Sequence, residues 1–174
     1  MPSMDPEADK ASAQVRLATT GDLDAINDIY NYYVRSSTCT YQDVPESSAS
    51  RLAWFQQHDA AHPITVATAQ DELLGFGALS PYRNRGGYRF TVEHSVYVHP
   101  RWHRRGIGRL LLCDLIARAR ALGHHTMLGG ISADQAASIA LHAALGFTQV
   151  ALLRQVGRKF DRWLDVVFMQ LMLE

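Results

Sequence analysis

The chain has 174 residues, of which 47% are hydrophobic and 20% are charged, a composition typical of one globular domain with its own core. Lysine plus arginine and aspartate plus glutamate each number 17, so the net charge is zero and a broad basic surface for nucleic acid is not expected. No apolar run reaches the roughly 18 residues of a membrane span, so the sequence predicts a soluble protein that binds neither membranes nor nucleic acid.

The cysteines and the N-terminal segment indicate a reducing, cytoplasmic setting. Cys39 and Cys113 are far apart in the sequence, and neither a disulfide framework nor a cysteine metal site is predicted from them. Residues 1–13 are polar and lack the apolar core of a signal peptide. We expect them to form a flexible tail, followed by a single domain over residues 14–174.

The first half of the domain predicts two helices and three strands. A short strand at residues 15–19 precedes a helix that Thr20 would cap and that ends near Arg35. After a polar loop, Ser47 or Ser48 can cap a second helix, which ends before Pro63. Two strands that pair as a hairpin are then predicted, at residues 64–68 and 73–79.

The second half predicts a long central strand, two helices and three further strands. From Tyr88 to Val98 the residues alternate, which places Glu93, Ser95 and Tyr97 on one face and His94 on the other. The other predicted elements are a helix from Ile107 to Leu122, a strand at residues 125–131, a helix over residues 132–147, and two strands around a loop from Gly157 to Arg162.

The segment "HRRGIGR", residues 103–109, connects the central strand to the next helix. A helix N-terminus presents backbone N–H groups without helical acceptors, and the helix dipole adds a partial positive charge. Glycines let a phosphate approach those amides, and arginines add charged donors. The segment therefore predicts a diphosphate-binding loop formed by Arg104, Arg105, Gly106, Ile107, Gly108 and Arg109.

By itself this pattern is weak, because Gly-x-Gly beside arginines is often only a tight turn with a solvated rim. The third glycine and acidic residue of a dinucleotide-binding loop are absent, as is the Gly-Lys-Ser/Thr of a P-loop. The sequence therefore favours a different phosphate-bearing cofactor.

Three segments together carry a family resemblance: "SVYVHPRWHRRGIGRLLL", "SADQAASIALHAALGF" and "VGRKFDRWLDVVFMQ". They resemble the GNAT family of N-acetyltransferases, and within it the phosphinothricin / methionine sulfoximine acetyltransferase group. The resemblance extends from Val15 to the C-terminus. It implies an α/β fold with a strongly twisted mixed sheet of about seven strands, flanked by about four helices and open in the middle.

The resemblance implies that acetyl-CoA binds in the opening of the sheet. Its pantetheine arm would pair with the backbone of Val96, Tyr97 and Val98, and its diphosphate would lie on residues 104–109. Gln135 and Ser138, at the start of the later helix, are the other implied contacts. The sequence departs from the family pattern at His103, usually Gln or Arg, and at Gln135, usually Asn; we expect weaker side-chain contacts and retained binding.

Two residues are implied for the chemistry. An acceptor amine must lose a proton before it attacks, and Glu93 matches the position of the group's general base. An ordinary glutamate pKa is low for this task, so burial or a bridging water is needed. His142 takes the place of a tyrosine that many relatives use to assist the leaving thiolate. The simpler readings are a solvated Glu93 and a structural His142 in an apolar helix.

The resemblance assigns recognition of an acidic substrate group to the loop "PYRNRGGY", and hence to Arg83, Arg85 and Tyr88. Arginine provides a planar fork of donors that suits carboxylate, phosphinate or sulfone oxygens. Tyr41 and Lys159 are further implied substrate contacts. The alternative for the loop arginines is that they are simply solvated.

Phe160 and Trp163 lie in a charged segment, where large apolar side chains are typical of an interface or of a core. With the family resemblance, they predict a homodimer. The histidine pairs at 99/103 and 124/125 lack further convergent ligands, so no metal site is predicted.

The sequence therefore predicts an acetyl-CoA-dependent N-acetyltransferase acting on the α-amine of phosphinothricin, methionine sulfoximine, methionine sulfone or a similar small molecule. The transfer would be direct, since neither cysteine has the surroundings of a nucleophile. Three alternatives remain: another acceptor, such as a protein N-terminus, polyamine or aminoglycoside; a non-catalytic CoA-binding module; and a nucleic-acid-binding module.

Overall fold

The computed structural model describes residues 13–174, so residues 1–12 of the predicted tail lie outside the described residues. Within residues 13–174 the strands are β1 (Gln14–Leu17), β2 (Ile64–Ala69), β3 (Glu72–Pro81), β4 (Thr91–Val98), β5 (Thr126–Ser132), β6 (Thr148–Lys159) and β7 (Arg162–Met172). The α-helices of the same range are α1 (Leu23–Ser36), α2 (Ser48–Gln56), α3 (Ile107–Ala121) and α4 (Ala136–Ala144).

The strands form one sheet in the order β1-β2-β3-β4-β5-β7-β6. Neighbours are antiparallel except β4 and β5, which are parallel. The helix α3 makes the crossover between β4 and β5, as a parallel pair requires. The predicted mixed sheet of seven strands with four helices is confirmed.

The helices cover both faces of the sheet. Ile26 and Ile29 of α1 pack with Val66 and Phe76 on one face, where α2 also lies. Side chains of α3 and the end of α4 pack with Val92 on the opposite face. The alternation predicted for the central strand is confirmed, since Tyr97 packs with the α1 cluster while Val92 belongs to the α3 cluster.

Two glycines in β3 explain how α3 lies so close to the sheet. A Cβ on Gly77 would be 2.9 Å from Leu115 Cδ1, and a Cβ on Gly75 would be 3.1 Å from Leu111 Cδ1 and 2.7 Å from a backbone oxygen of β4. Glycine is weak in a strand unless a close approach requires it. Here the missing side chains make room for the helix.

Several predicted boundaries are wrong. The last helix, predicted over residues 132–147, spans only Ala136–Ala144, because Ser132 is the last residue of β5. The first helix is preceded by a 3-10 turn, Thr20–Asp22, and the Asp22 carboxylate accepts from the backbone N–H of Thr19 (2.7 Å) and its Oγ1 (3.0 Å). The central strand begins at Thr91, because residues 86–88 form another 3-10 turn. The expected loop from Gly157 to Arg162 is instead a tight turn at residues 160–161, where both residues have positive φ.

Candidate active site

The parallel strands β4 and β5 separate in the middle of the sheet. They pair at Thr91, Val92 and Glu93, and no pairing follows in the described chain, although β4 continues to Val98. β5 meanwhile remains paired with β7 as far as Ser132. The separation leaves an opening between the C-terminal ends of two strands.

Backbone groups of β4 point into this opening. The N–H of His99 donates to Leu74 of β3, so odd-numbered residues of β4 direct their backbone groups to β3 and even-numbered ones to the opening. The N–H and C=O of Val96 and the N–H of Val98 therefore face the opening. The Val98 carbonyl accepts from the Tyr33 hydroxyl and lies 3.2 Å from His103 Nε2.

Two histidines occupy the point where the strands separate. His94 Nδ1 lies 2.9 Å from the Leu128 carbonyl, His142 Nδ1 lies 2.7 Å from the Ser138 carbonyl, and the two Nε2 atoms are 2.8 Å apart. A Cβ on Gly129 would be 2.6 Å from His94 Cε1. The absent side chain at position 129 thus makes room for the imidazole ring at the fork.

Hydrogen bonding and burial oppose each other in this pair. Both Nδ1 atoms face carbonyl oxygens and must carry protons to donate, and the Nε2–Nε2 contact needs one further proton. Three protons make one imidazolium. Burial, however, lowers the pKa of His94 to about 3, with a further contribution from His142, and burial also lowers the pKa of His142. Burial therefore opposes the third proton that the contact between the two Nε2 atoms needs.

A row of free amides follows the opening. Within the described chain, none of the backbone N–H groups of residues 104–109 has a hydrogen-bond acceptor, and the first amide with a helical partner is that of Leu110. Gly106 caps α3 with φ 83°, and Arg104 has φ 60°, both in the left-handed region. These turns keep successive amides at the helix N-terminus, where an anion is stabilised.

The side chains of this loop are arranged around the amides. Arg104 and Arg109 are exposed, and Arg105 lies over the Trp102 ring at 4.9 Å. His103, the departure from the family pattern, stacks on Tyr33 and contacts the Val98 carbonyl. It fixes the loop to β4, while the arginines remain available to solvent.

The two remaining predicted cofactor contacts lie at the start of α4. Gln135 Nε2 donates to Thr38 Oγ1 at 2.8 Å. Ser138 offers its carbonyl to His142 and donates its backbone N–H to the Gln135 carbonyl. The Ser138 hydroxyl appears in no hydrogen bond within residues 13–174.

Glu93 lies where β4 and β5 begin to separate, half-buried on the face covered by α1 and α2. Burial raises the pKa of this carboxyl group, and the positive charge of Arg83 opposes the rise. Arg83 stacks over Tyr82 (4.9 Å) and Tyr88 (5.6 Å). The structure therefore brings the predicted base, Arg83 and Tyr88 to one region.

The side chains of Arg85 and Tyr41 form no hydrogen bond or ring contact with those of Glu93, Arg83 and Tyr88 within residues 13–174. Arg85 is exposed, and the hydrogen bonds that hold it within the described chain involve its backbone. The Tyr41 hydroxyl donates to Ser132 Oγ at 3.1 Å, and its ring lies so close to Gly157 that a Cβ there would be 2.2 Å away. Tyr41 thus packs against the β6–β7 hairpin.

Lys159 is turned into the protein. It is 4% exposed, and its ammonium lies 2.7 Å from the Ser37 and Thr40 carbonyls and 3.4 Å from that of Tyr33. Three acceptors match its three donors, so no N–H remains for a substrate. The position favours a structural role, in which Lys159 satisfies the carbonyls at the end of α1.

Replacement of Lys159 by methionine is expected to destabilise the fold by about 2 kcal/mol, because buried carbonyls would lose a charged donor. Thermal or urea unfolding would measure the change. Arg158→Met is the matched control, since that side chain is largely exposed and its contacts, an ion pair with Asp161 and a cation–π contact with Trp163, are with exposed residues. Equal stability of the two variants would contradict the structural role.

One buried cation was missed by the sequence analysis. Arg51 is 4% exposed and is the buried residue of α2. It lines a cavity of about 230 Å³ that also contacts Ser95 and Tyr97 of β4, on the face that bears Glu93. In the sequence Arg51 stands in the polar first turn of a helix, before the apolar residues Trp54 and Phe55, and this position gives no signal of burial.

Comparison with known proteins agrees with this geometry. The model of the acetyltransferase (GNAT) family matches residues 26–147, which include Glu93, the loop of free amides and His142. The chain belongs to this family.

Relatives of known name cover almost the whole GNAT chain. It is 43% identical to the L-methionine sulfoximine/L-methionine sulfone acetyltransferase of Salmonella typhimurium, over 92% of this chain and 94% of that protein. It is 39% identical to the phosphinothricin N-acetyltransferase of Alcaligenes faecalis, over 94% and 84%. A solved phosphinothricin acetyltransferase from Sinorhizobium meliloti, in complex with acetyl-CoA, superposes with a TM-score of 0.88 at 38% identity, over 92% and 88%.

Two features are absent from the described part of the GNAT domain. No helix of residues 13–174 is long and apolar enough to cross a membrane. In the same range, no three histidine, cysteine or acidic side chains come together as metal ligands.

Proposed function

We propose that this chain is an N-acetyltransferase that transfers the acetyl group of acetyl-CoA to the α-amine of a small amino-acid-like acceptor. Phosphinothricin, methionine sulfoximine and methionine sulfone are the proposed acceptor class. The observation that carries the proposal is the fork between β4 and β5, which lies between a half-buried carboxyl group and a helix start with six free amides. The names of the relatives support the acceptor class.

The donor would lie along the fork. Val96 and Val98 offer the backbone groups for the pantetheine amides, beside the side chain of Tyr97. The free amides of residues 104–109 suit the diphosphate, with Arg104, Arg105 and Arg109 as charged donors at the rim. Gln135 and Ser138 flank the opposite wall at the start of α4. When bound there, acetyl-CoA would supply the acetyl group, and CoA would leave as the free thiol.

Glu93 is the proposed general base. An amine is largely protonated at neutral pH and attacks only as the free base. A glutamate with a raised pKa accepts that proton more readily than an exposed one, directly or through a water. As the nitrogen attacks the thioester carbon, the C–S bond breaks and the sulfur takes up a proton.

His142 is the proposed partner of the leaving sulfur. Both of its ring nitrogens have protein partners, Ser138 and His94. In this role its Nε2 would exchange the contact with His94 for one with the sulfur. The oxygen-rich side chain of the acceptor would bind to Arg83, Arg85 and Tyr88. Tyr41 would lie near the same site.

An assay of CoA release tests the proposal. The purified enzyme is incubated with acetyl-CoA and, separately, with methionine sulfone, phosphinothricin, spermidine or a peptide, and the acetylated product is identified by mass spectrometry. Acetylation of the first two is expected. Acetylation of only spermidine or the peptide would reject the acceptor class, and CoA binding without any turnover would favour a non-catalytic module.

Self-association is a further part of the proposal, with the β6–β7 hairpin as the interface. β6 is an edge strand, and Val150, Val156, Phe160 and Trp163 on this hairpin are each more than half exposed. The unpaired backbone groups of an edge strand can pair with another chain, and a group of exposed apolar side chains marks an interaction site. We therefore propose a cytoplasmic homodimer that inactivates amino-acid-like inhibitors.

Replacement of Trp163 by glutamate is expected to convert the dimer to a monomer, because a charge would be buried in an apolar interface. Sedimentation or light scattering measures the mass. Leu122→Glu, at an exposed apolar position outside the hairpin, is the matched control and should leave the mass unchanged. A Trp163 variant that keeps the mass of the parent would exclude this surface.

A further inference from the structure

Arg51 is a buried cation with incomplete pairing. Its guanidinium lies between two aromatic rings, 4.5 Å from the Tyr30 centroid and 4.7 Å from that of Trp54. Nε donates to Asn27 Oδ1 at 3.1 Å, and Nη2 has no hydrogen-bond partner among residues 13–174. Stacking between rings fixes the plane of the guanidinium, and the free Nη2 leaves part of its hydrogen-bonding capacity unused.

The charge of Arg51 is also uncompensated. It forms no ion pair within residues 13–174. Burial lowers the pKa of Arg51, although a guanidinium stays protonated in proteins. A buried charge without a partner is costly, and an anion that brings its own charge into the site removes much of that cost.

The cavity at Arg51 lies beside the proposed reaction centre. It has a volume of about 230 Å³ and lies between α1, α2 and the sheet, with Ser95 and Tyr97 in its wall. Ser95 is the next residue after Glu93 on the same face of β4, roughly 7 Å further along the strand. A ligand in this cavity can therefore extend to Glu93.

Glu46 gives the cavity a negative group as well. Glu46 is one of the residues that line the cavity, and its carboxylate accepts from Gln42 Nε2 at 3.1 Å and forms no ion pair with Arg51 within residues 13–174. A site with one separated cation and one anion suits a zwitterion better than a polyanion.

We infer that Arg51 binds the α-carboxylate of the acceptor amino acid. This inference rests on the proposed function. The loop arginines are proposed to bind the side chain of the acceptor, and Arg51 would bind its amino-acid end. The α-carboxylate is the anion closest to the reacting amine, since one carbon separates them, so it belongs in the cavity next to Glu93. Arg83 lies beyond the other end of β4, where the acceptor side chain would extend.

The test compares two acceptors in two enzymes. Methionine sulfone carries the α-carboxylate, and its decarboxylated counterpart, 3-(methylsulfonyl)propylamine, does not. The parent enzyme should prefer methionine sulfone in kcat/KM, and Arg51→Gln should reduce that preference by about 30-fold, mainly through KM. Since the amines differ equally in reactivity for both enzymes, this difference cancels in the ratio. Arg51→Lys should restore part of the preference.

Arg83→Gln is the matched control. Both acceptors keep the sulfone, so this variant should slow both by a similar factor and leave the preference unchanged. An Arg51→Gln enzyme that is equally slow with both acceptors, at unchanged CoA affinity, would overturn the inference and assign Arg51 a structural role.

Calorimetry separates this inference from the proposed function. Binding of methionine sulfone and of the amine is measured on enzyme saturated with CoA, without turnover. Binding of methionine sulfone that depends on Arg51 supports the inference even if another amine is the better acetyl acceptor. Methionine sulfone binding that is the same in Arg51→Gln contradicts the inference, even if acetylation occurs.

Discussion

Replacement of Glu93 by glutamine is expected to lower kcat about 1,000-fold, within the range that a positioned general base contributes. Glutamine keeps the size and polarity of the side chain but cannot accept a proton. The affinity for CoA should remain, because Glu93 belongs to the part of β4 that is still paired with β5 and is not one of the residues 104–109 with free amides. Steady-state kinetics with methionine sulfone, and calorimetry with CoA, measure the two quantities.

The pH profile separates a catalytic Glu93 from a structural one. The base works when deprotonated, so kcat/KM should fall as the pH falls through the pKa of Glu93, which burial places above its ordinary value. In the glutamine variant this acidic limb should disappear. Ser80→Ala, on the facing residue of β3, is a suitable control for local packing. A glutamine variant within threefold of the parent, with the acidic limb intact, would exclude Glu93 as the base.

Replacement of Gly108 by proline is expected to weaken acetyl-CoA binding about 100-fold. Gly108 is in the first turn of α3, where proline is tolerated, and its amide has no acceptor in the described chain. The substitution therefore removes one donor from the diphosphate site, and charged hydrogen bonds of this kind contribute about 1.5–3 kcal/mol. Calorimetry with CoA measures the affinity.

Two comparisons make this test specific. Gly108→Ala keeps the N–H, and its Cβ would make ordinary contacts with Leu141 (3.4 Å) and Val98 (3.6 Å), so it should bind CoA nearly as well as the parent. Acetyl-pantetheine lacks the diphosphate, and parent and proline variant should use it equally. If the proline variant used acetyl-CoA and acetyl-pantetheine equally poorly, the substitution would have damaged the fork between β4 and β5. Unchanged CoA affinity would show that the amide of Gly108 does not bind the diphosphate.

Much of the fold follows from local patterns. The two-residue alternation in β4 and the glycine after α3 are signals that act within a few residues. The boundary errors have local causes as well, because the turn at Gly86–Tyr88 and the two-residue turn at 160–161 satisfy backbone hydrogen bonds without a distinctive sequence. The prediction of a split sheet came from family resemblance, since strand separation depends on tertiary packing.

The candidate site is predictable only in part, for the same reason. The free amides follow from Gly106 and Gly108 at a helix start. Alternation gives the face of β4 on which Glu93 lies, and its role as the base comes from the family resemblance. The His94–His142 contact joins residues 48 positions apart, and the burial of Arg51 depends on how α2 packs against Tyr30. A single sequence contains no local signal for either contact.

The contacts of Lys159 bear on the order in which the chain folds. Its ammonium joins carbonyls that lie 119, 122 and 126 residues earlier. During synthesis from the N-terminus, α1 emerges long before the hairpin that completes its last turn, and contacts of such large separation form late. A nascent chain that stops short of Lys159 would hold an unfinished first helix, so the ribosome must release nearly the whole polypeptide before that helix reaches its final stability.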